Sequence, residues 1–437
     1  MSPPREPGLI RRGVFWLLLL GPFFFLSYGL VNNYTAGRSD VGSLVFGWER
    51  GMPLWPWTII PYWSIDLLYG LSFLLPRTRQ EMDRHALALL SAQVISVSCF
   101  LLWPLRFTFE RPELDGLFGW LFDVLMGFDK PFNQAPSLHI ALLVIIWTMF
   151  ARHVQRQSLR WLMHGWMALI GVSVLTTWQH HFIDVPTGAL AGFACLWLWP
   201  YQGRLPFQAA HLARDAKRWR VACCYAIGAL LCGLPVATLG GAWLWLGWPS
   251  VSLGLVALNY AVFGAGGFQK DTDGRLSNAG WWLLAPYRVG AWLNSRLWTR
   301  RHPQADEVCN GVYLGRIPGR GEGAQFAAIV DVCAELPCTV LATQDYLHFP
   351  TLDLIAPDSP LLLQAANAIE HFHAKGPVLV CCALGYSRSA SAVAAWLVVT
   401  GRCNDAQQAE SLIRKARPGI VLHSAHRQAL QQLGAQP

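Results

Sequence analysis

The sequence predicts an all-α polytopic membrane domain followed by a cytoplasmic α/β domain, on three observations. Of 437 residues, 53% are hydrophobic, only 14% are charged and 22 are Trp, a composition far from that of soluble domains. About eight apolar stretches reach or approach the roughly 20 residues that cross a bilayer. From about residue 303 the pattern changes to short apolar runs alternating with helical segments, and the remaining 135 or so residues suffice for a core of their own.

The stretches lie near 13–31, 58–75, 86–105, 137–151, 161–178, 186–200, 221–239 and 243–266. The first is long, lacks a small-residue cleavage pattern and is followed by further spans, so it is expected to stay as an anchor. Arginines set the orientation. Arg5, Arg11 and Arg12, then Arg77, Arg79 and Arg84, then Arg152, Arg156 and Arg160, then Arg204, Arg214, Lys217, Arg218 and Arg220 all fall on one side of an eight-span chain. That side is the cytoplasm, which places both termini there, in a plasma membrane or the inner membrane of a bacterium. The alternate loops hold fewer cations, and those in 106–138 are diluted by Glu110, Glu113, Asp115, Asp123 and Asp129.

The net charge of +8 reflects this bias. No basic stripe with interleaved aromatics occurs outside membrane flanks, so the expected partner is the bilayer and not nucleic acid. Of eleven cysteines, Cys99, Cys195, Cys223, Cys224 and Cys232 fall in spans and six in the C-terminal part. None falls in an external loop, so no disulfide framework is expected. Cys333 and Cys338 are too isolated in sequence to suggest zinc, and neither metal nor cofactor is expected.

Three polar clusters interrupt the apolar pattern, at span ends expected to face outward. Arg106-Phe107-Thr108-Phe109-Glu110-Arg111-Pro112 follows the third span, Pro136-Ser137-Leu138-His139 opens the fourth, and Gln179-His180-His181-Phe182-Ile183-Asp184 joins the fifth to the sixth. His180 and Asp184 are four apart, so on a helix the carboxylate can hold one imidazole nitrogen and leave the other free to attack phosphorus. His139 could protonate the departing alcohol and Arg111 neutralise the phosphate.

These segments resemble the type 2 phosphatidic acid phosphatase superfamily over about residues 60–200. The resemblance implies a six-helix core, a phosphohistidine at His180 supported by Asp184, and His139 as acid. Leu138, Val174 and Pro104 stand where that family has glycine, arginine and lysine, so Arg106 or Lys130 is the expected replacement cation beside Arg111. The sphingomyelin and inositol-phosphorylceramide synthase branch also keeps the histidines and aspartate while losing basic positions. Hydrolysis and headgroup transfer are both open here.

The last two spans lack charged residues and end in Gly264-Ala265-Gly266-Gly267. Their simplest role is to return the chain to the cytoplasm. An aromatic segment follows, with Trp281, Trp282 and Trp292 among Arg288, Arg296, Arg300 and Arg301. It reads equally as an amphipathic element on the inner leaflet or as a helix packing on the next domain. The expected organisation is thus an anchor and loop (1–57), a membrane core (58–200), a basic loop with two spans (201–267), an aromatic linker (268–302) and the α/β domain (303–437).

In that last domain 311–315, 327–332 and 338–341 read as strands, and 361–374, 390–400 and 405–416 as helices. Its centre is Val378-Leu379-Val380-Cys381-Cys382-Ala383-Leu384-Gly385-Tyr386-Ser387-Arg388-Ser389-Ala390-Ser391, a strand, a small-residue loop and a helix start. Such a loop points its N–H groups at one phosphate while the helix dipole adds positive potential. That potential favours Cys382 as the thiolate nucleophile. Arg388 offers a planar fork for two phosphate oxygens, and Ser389 can donate to the departing sulfur.

This stretch resembles the signature loop of the protein tyrosine/dual-specificity phosphatase superfamily. The resemblance implies hydrolysis of phosphate monoesters through a phosphocysteine without metal, the phosphate cradled by Ala383, Leu384, Gly385, Tyr386, Ser387 and Arg388. Cys381 stands where the family usually has histidine. The general acid implied about thirty residues upstream is Asp353, with Asp358 as fallback. The uncharged Ala383, Leu384 and Tyr386 favour a singly phosphorylated substrate. Tethering at a bilayer favours a lipid phosphate, with a phosphoprotein as competitor and a catalytically silent scaffold as third reading.

Overall fold

Seven helices build the N-terminal unit (Met1–Leu205 with Leu239–Ala242) of a computed structural model that describes residues 5–434; the outermost residues of the first and last predicted segments lie outside them. They are α1 (Leu9–Ala36), α2 (Ile59–Ser72), α3 (Arg79–Leu102), α4 (Gly116–Phe128), α5 (Leu138–His153), α6 (Gln157–Thr176) and α7 (Asp184–Leu198). Among the described residues, five helical stretches are long and apolar enough to cross a membrane: α1, α3, α6, Ala216–Thr238 and Gly241–Phe268. The spans expected near 58–75, 137–151 and 186–200 are helices of 14, 16 and 15 residues.

The stretch 106–138, read as a polar loop, contains the apolar helix α4. Glu110, Glu113 and Asp115 precede this helix and Asp129 follows it, so Asp123 alone of the five acids lies inside. Close packing then fixes α7 against α5. Gly188 and Gly192 form a small-xxx-small pair; a Cβ on the first would meet Ser137 O at 2.5 Å and on the second Ala141 O at 2.7 Å. Only bare backbone allows that approach, and it sets the start of α7 beside the start of α5.

The second unit comprises Pro206–Thr238 and Trp243–Pro437. It begins with α8 (Ala216–Thr238) and α9 (Gly247–Leu258), followed by a π-helical turn, Asn259–Phe263. The short α10 (Asn278–Leu283) and α11 (Ala285–Trp298) lead into the sheet. Its strands are β1 (Asp306–Cys309), β2 (Val312–Arg316), β3 (Ala328–Cys333), β4 (Asp345–Thr351) and β5 (Val378–Cys382), in the order β1-β2-β5-β3-β4. All neighbours are parallel except β1 and β2. Helices α12 (Ser359–His373), α13 (Arg388–Val399), α14 (Ala406–Ala416) and α15 (Ser424–Gly434) complete the domain.

The expected strand at 338–341 is a correction: no strand forms there. Cys338 N–H donates to Gly274 O and Leu341 N–H to the Gln344 side chain, so the apolar run spends its donors on loop contacts. The strand comes later, as β4, and includes the Phe349–Thr351 stretch read as loop. Pro350 is tolerated because β4 is an edge strand.

Alternation along β5 divides the core. Val378, Val380 and Cys382 face the helical layer of Leu362, Ile369, Val393 and Trp396, while Leu379 and Cys381 face the opposite cluster with Ile329, Cys333 and Cys338. That second face contains one buried ion pair. Lys270 Nζ donates to Asp331 Oδ2 and to Cys333 O at 2.9 Å, and Asp331 also accepts from Tyr346 Oη at 2.9 Å. Both charged side chains are buried, and Asp331 raises the Lys270 ammonium's proton affinity against the opposing effect of burial. Lys270→Met would leave Asp331 charged and unpaired. A loss of about 3–5 kcal/mol is expected, read as a lowered unfolding midpoint of the detergent-solubilised protein, with Lys270→Met/Asp331→Asn recovering part of it.

Candidate active sites

In the N-terminal unit the α5–α7 contact brings three predicted residues together. His180 Nδ1 lies 3.2 Å from Asp184 Oδ2, and His180 Nε2 3.0 Å from Ser137 Oγ. The carboxylate makes Nδ1 the donor, so Nε2 presents its lone pair and Ser137 donates to it. Asp184 Oδ2 also accepts from His181 N–H at 3.0 Å. His139 stacks on Tyr62 with ring centroids 4.2 Å apart, and its buried Nε2 has no hydrogen-bond partner. Both histidines line a cavity of about 120 Å³ together with Tyr62, Asp66 and Asp129.

The predicted cations lie elsewhere. Arg111 donates to Thr177 O at 2.8 Å and Trp178 O at 3.1 Å, and sits 4.2 Å above the Phe122 ring. With Arg106 it lines a neighbouring cleft of about 360 Å³. Lys130 Nζ donates to Asn33 Oδ1 at 2.6 Å. His181 has a structural task that its sequence position did not reveal. Its Nε2 accepts from Thr108 N–H at 3.2 Å, so its Nδ1 donates to the fully buried Glu49 at 3.0 Å.

In the second unit the strand, loop and helix form as predicted, and the loop wraps the sulfur. Gly385 N–H and Ser389 Oγ each donate to Cys382 Sγ at 3.2 Å. Gly385 has φ of 78°, and a Cβ there would meet Gly315 C at 2.4 Å and Arg316 N at 2.7 Å. The loop therefore lies directly on the end of β2, and only glycine fits. Cys381 is buried on the other sheet face, where its sulfur, Cys338 Sγ and an Asp331 oxygen lie within 4.8 Å of one another. Cys338, isolated in sequence, is thus not isolated in space; Lys270 supplies the positive charge there. Burial pushes the Cys381 thiol up, keeping it neutral.

Arg388, 1% exposed, is the most heavily engaged side chain. It donates to Glu335 Oε1 at 2.6 Å and Oε2 at 2.9 Å, to Thr351 O at 2.8 Å, and pairs with Asp353 Oδ1 at 3.0 Å. Burial pushes the Asp353 carboxyl above its ordinary range; Arg388 opposes this and Glu335 adds to it. For Glu335 the order reverses: burial raises it, but the charge and hydrogen bonds of Arg388 hold it below. Asp358, the fallback acid, caps α12 by accepting Leu361 N–H at 3.0 Å.

Several supporting residues were not legible. Arg417 donates to Asp306 Oδ2 at 2.6 Å and to the loop carbonyl of Leu384 at 3.4 Å, and lies 4.8 Å over Tyr386. His426 Nε2 meets Ser387 Oγ at 2.9 Å, and burial lowers this histidine to about 4, so it is neutral at physiological pH. Ser295 of α11 donates to Ala383 O. Their partners lie 33 to 111 residues away, beyond any spacing rule; the one local signal overlooked is the Gly188/Gly192 pair. Gly385→Ala is expected to force the loop off β2 at a cost of about 1–3 kcal/mol, measured as weakened vanadate binding and lost turnover in a protein that still folds.

Residues 312–436 match the family described as "Dual specificity phosphatase, catalytic domain". Among solved structures the chain is similar to Tk-PTP in its active form, at 27% identity over 31% of this chain and 99% of that one, with a TM-score of 0.29. It is similar also to human DUSP28, at 24% identity over 30% and 93% with a TM-score of 0.28, and to PTPMT1 in complex with PI(5)P, at 20% identity over 30% and 94% with a TM-score of 0.27. No curated protein matches the chain. Residues 312–436 are a dual-specificity phosphatase catalytic domain, and the chain is a cysteine-dependent phosphatase that hydrolyses phosphate monoesters.

Proposed function

We propose that the chain is a membrane-bound phosphatase whose C-terminal site dephosphorylates lipid phosphate monoesters through a phosphocysteine at Cys382. The sulfur attacks phosphorus while the amides of 383–388 and the Arg388 fork hold the equatorial oxygens. The incoming phosphate takes the place of Asp353 on Arg388, and the freed carboxyl protonates the leaving oxygen. Water, deprotonated by the same carboxylate, then attacks the phosphocysteine as Ser389 donates to the departing sulfur.

The observation that carries the lipid reading is the two-sided helix α11. Its inner side supports the catalytic loop through Ser295, and Arg296 donates to Ile317 O at 3.3 Å. Its outer side exposes Val289, Trp292, Leu293, Leu297 and Trp298, continuing Trp281 and Trp282 of α10. Such an apolar face beside arginines suits the headgroup region of a bilayer, which brings the loop to phosphates at the lipid surface. Of the two readings of this segment, packing on the domain is met directly, and the exposed face supports the other as well.

A second reading concerns the N-terminal cavity. Ser137, His180 and Asp184 support phosphohistidine-type chemistry, and the partnerless His139 Nε2 suits an acid awaiting substrate. Asp66 and Asp129 line the same cavity while Arg106 and Arg111 line another. With its arginines in the neighbouring cleft, the cavity suits a phosphodiester better than a phosphomonoester dianion, which supports transfer of a diester headgroup to an alcohol over monoester hydrolysis. The arginine distribution supports an outward-facing site here and a cytoplasmic phosphatase domain.

In mixed micelles Cys382→Ser should abolish phosphate release from a lipid monoester, which wild type should prefer to a phosphotyrosine peptide; the reverse preference would reject the lipid reading. Asp353→Asn should lose roughly 10²–10⁴ in kcat. Because burial raises its pKa, the alkaline limb that Asp353 sets should lie above the ordinary carboxylate range and vanish in this variant. His180→Ala should leave that activity unchanged and remove headgroup exchange between diester lipids, measured by mass spectrometry.

A further inference from the structure

The last two apolar helices, predicted only to return the chain to the cytoplasm, are built into the phosphatase domain. Tyr260, in the π-helical turn after α9, is completely buried. Its hydroxyl donates to the main-chain carbonyl of Asp353 at 3.0 Å. Its own carbonyl accepts from Arg218 Nε of α8 at 2.9 Å, and the next two carbonyls accept from Ala213 N–H at 2.8 Å and His211 N–H at 3.1 Å. Phe268, Leu284 and Tyr287 pack around it, as do Ala334, next to Glu335, and Leu352, next to Asp353. The turn is therefore held by both arms of the hairpin and bears on the loop that carries the expected acid.

That loop needs an external restraint. Leu354, directly after Asp353, has φ of 62° and a 57% exposed side chain. A branched residue adopts the left-handed conformation at a cost, and its own side chain offers nothing buried in return. A hydrogen bond to the preceding carbonyl, from a hydroxyl with no freedom to move, fixes the peptide that the strained residue would otherwise release.

We propose that Tyr260 of the membrane hairpin is a positioning residue of the phosphatase reaction: by holding the main chain of Asp353 it aims the carboxyl at the leaving oxygen. The proposal rests on Asp353 being the general acid. Arg388 draws the Asp353 side chain toward the phosphate position, and Tyr260 fixes the backbone from which that side chain extends. The membrane hairpin is thereby part of the catalytic apparatus and more than an anchor.

The role is visible in leaving-group dependence. An aryl phosphate with an acidic phenol leaves without protonation, whereas an alkyl phosphate requires it. Full-length protein in micelles would be assayed on p-nitrophenyl phosphate and dodecyl phosphate. For Tyr260→Phe, the dodecyl to p-nitrophenyl ratio of kcat/KM, which reports only the steps up to loss of the alcohol, should fall about tenfold, the worth of one positioned hydrogen bond. For Asp353→Asn the ratio should fall by about a hundredfold or more. Tyr225→Phe, whose ring lies 5.6 Å from Tyr260 in the same cluster, should leave the ratio unaltered. Vanadate affinity equal to wild type verifies an intact loop. An unaltered ratio in Tyr260→Phe with a lowered ratio in Asp353→Asn would overturn the proposal alone. An unaltered ratio in Asp353→Asn would remove the acid assignment and the proposal with it. An equal fall on both substrates would mark Tyr260 as merely structural.

Discussion

The phosphatase domain depends on one buried charge cluster, Arg388 with Glu335. Neither group could be buried alone, because the lost hydration of a guanidinium or carboxylate far exceeds what packing returns. Paired in two parallel hydrogen bonds, with Thr351 O as a further acceptor, they form a unit whose geometry is set before substrate arrives. Most of Arg388's donors are committed, so the guanidinium is held in one orientation, the kind of preorganisation that makes electrostatic stabilisation effective. Glu335 also offsets much of the arginine's charge, so burial decides the Asp353 carboxyl and pushes it up.

The same logic extends to the sulfur. Its two donors come from Gly385 and Ser389, one in the loop and one in the first turn of α13. Both are backed by residues distant in sequence: Arg417 holds Leu384 O, Ser295 holds Ala383 O and neutral His426 holds Ser387. These loop groups are thus satisfied from outside the loop, as buried polar groups require. Because Ser295 belongs to α11 and Ala291 packs against the sheet, the helix bearing the exposed tryptophans cannot leave without uncovering the loop from behind. The exposed tryptophans and the loop support reside in one element.

What the sequence disclosed follows the range of the physics involved. Cys382, Gly385, Arg388 and Ser389 were legible because strand, turn and helix start act within a few residues; His180 and Asp184 meet as their spacing of four suggested, but not on one helix turn, since α7 begins at Asp184 and His180 lies in the bend before it. The run 338–341 has strand composition but lost its donors to Gly274 and Gln344, which composition cannot foresee. The helix at 116–128 was hidden by acids that flank it. Glu335, Arg417, Ser295 and Tyr260 are ordinary residues by pattern; only the folded sheet brings them to the loop. Cys381, standing where the family usually has histidine, faces the opposite side of β5, where strand alternation places it and where its neutral thiol packs with Cys338.

The N-terminal cavity follows from packing more than from charge. Two glycines let α7 approach α5 until Ser137 reaches His180, so the imidazole is held at both nitrogens in the free protein. The second Asp184 oxygen is buried without a hydrogen-bond partner. Asp66 and Asp129 line the same cavity while Arg106 and Arg111 line another, so the approach of two helices through two glycines, rather than a gathering of cations, is what assembles these side chains.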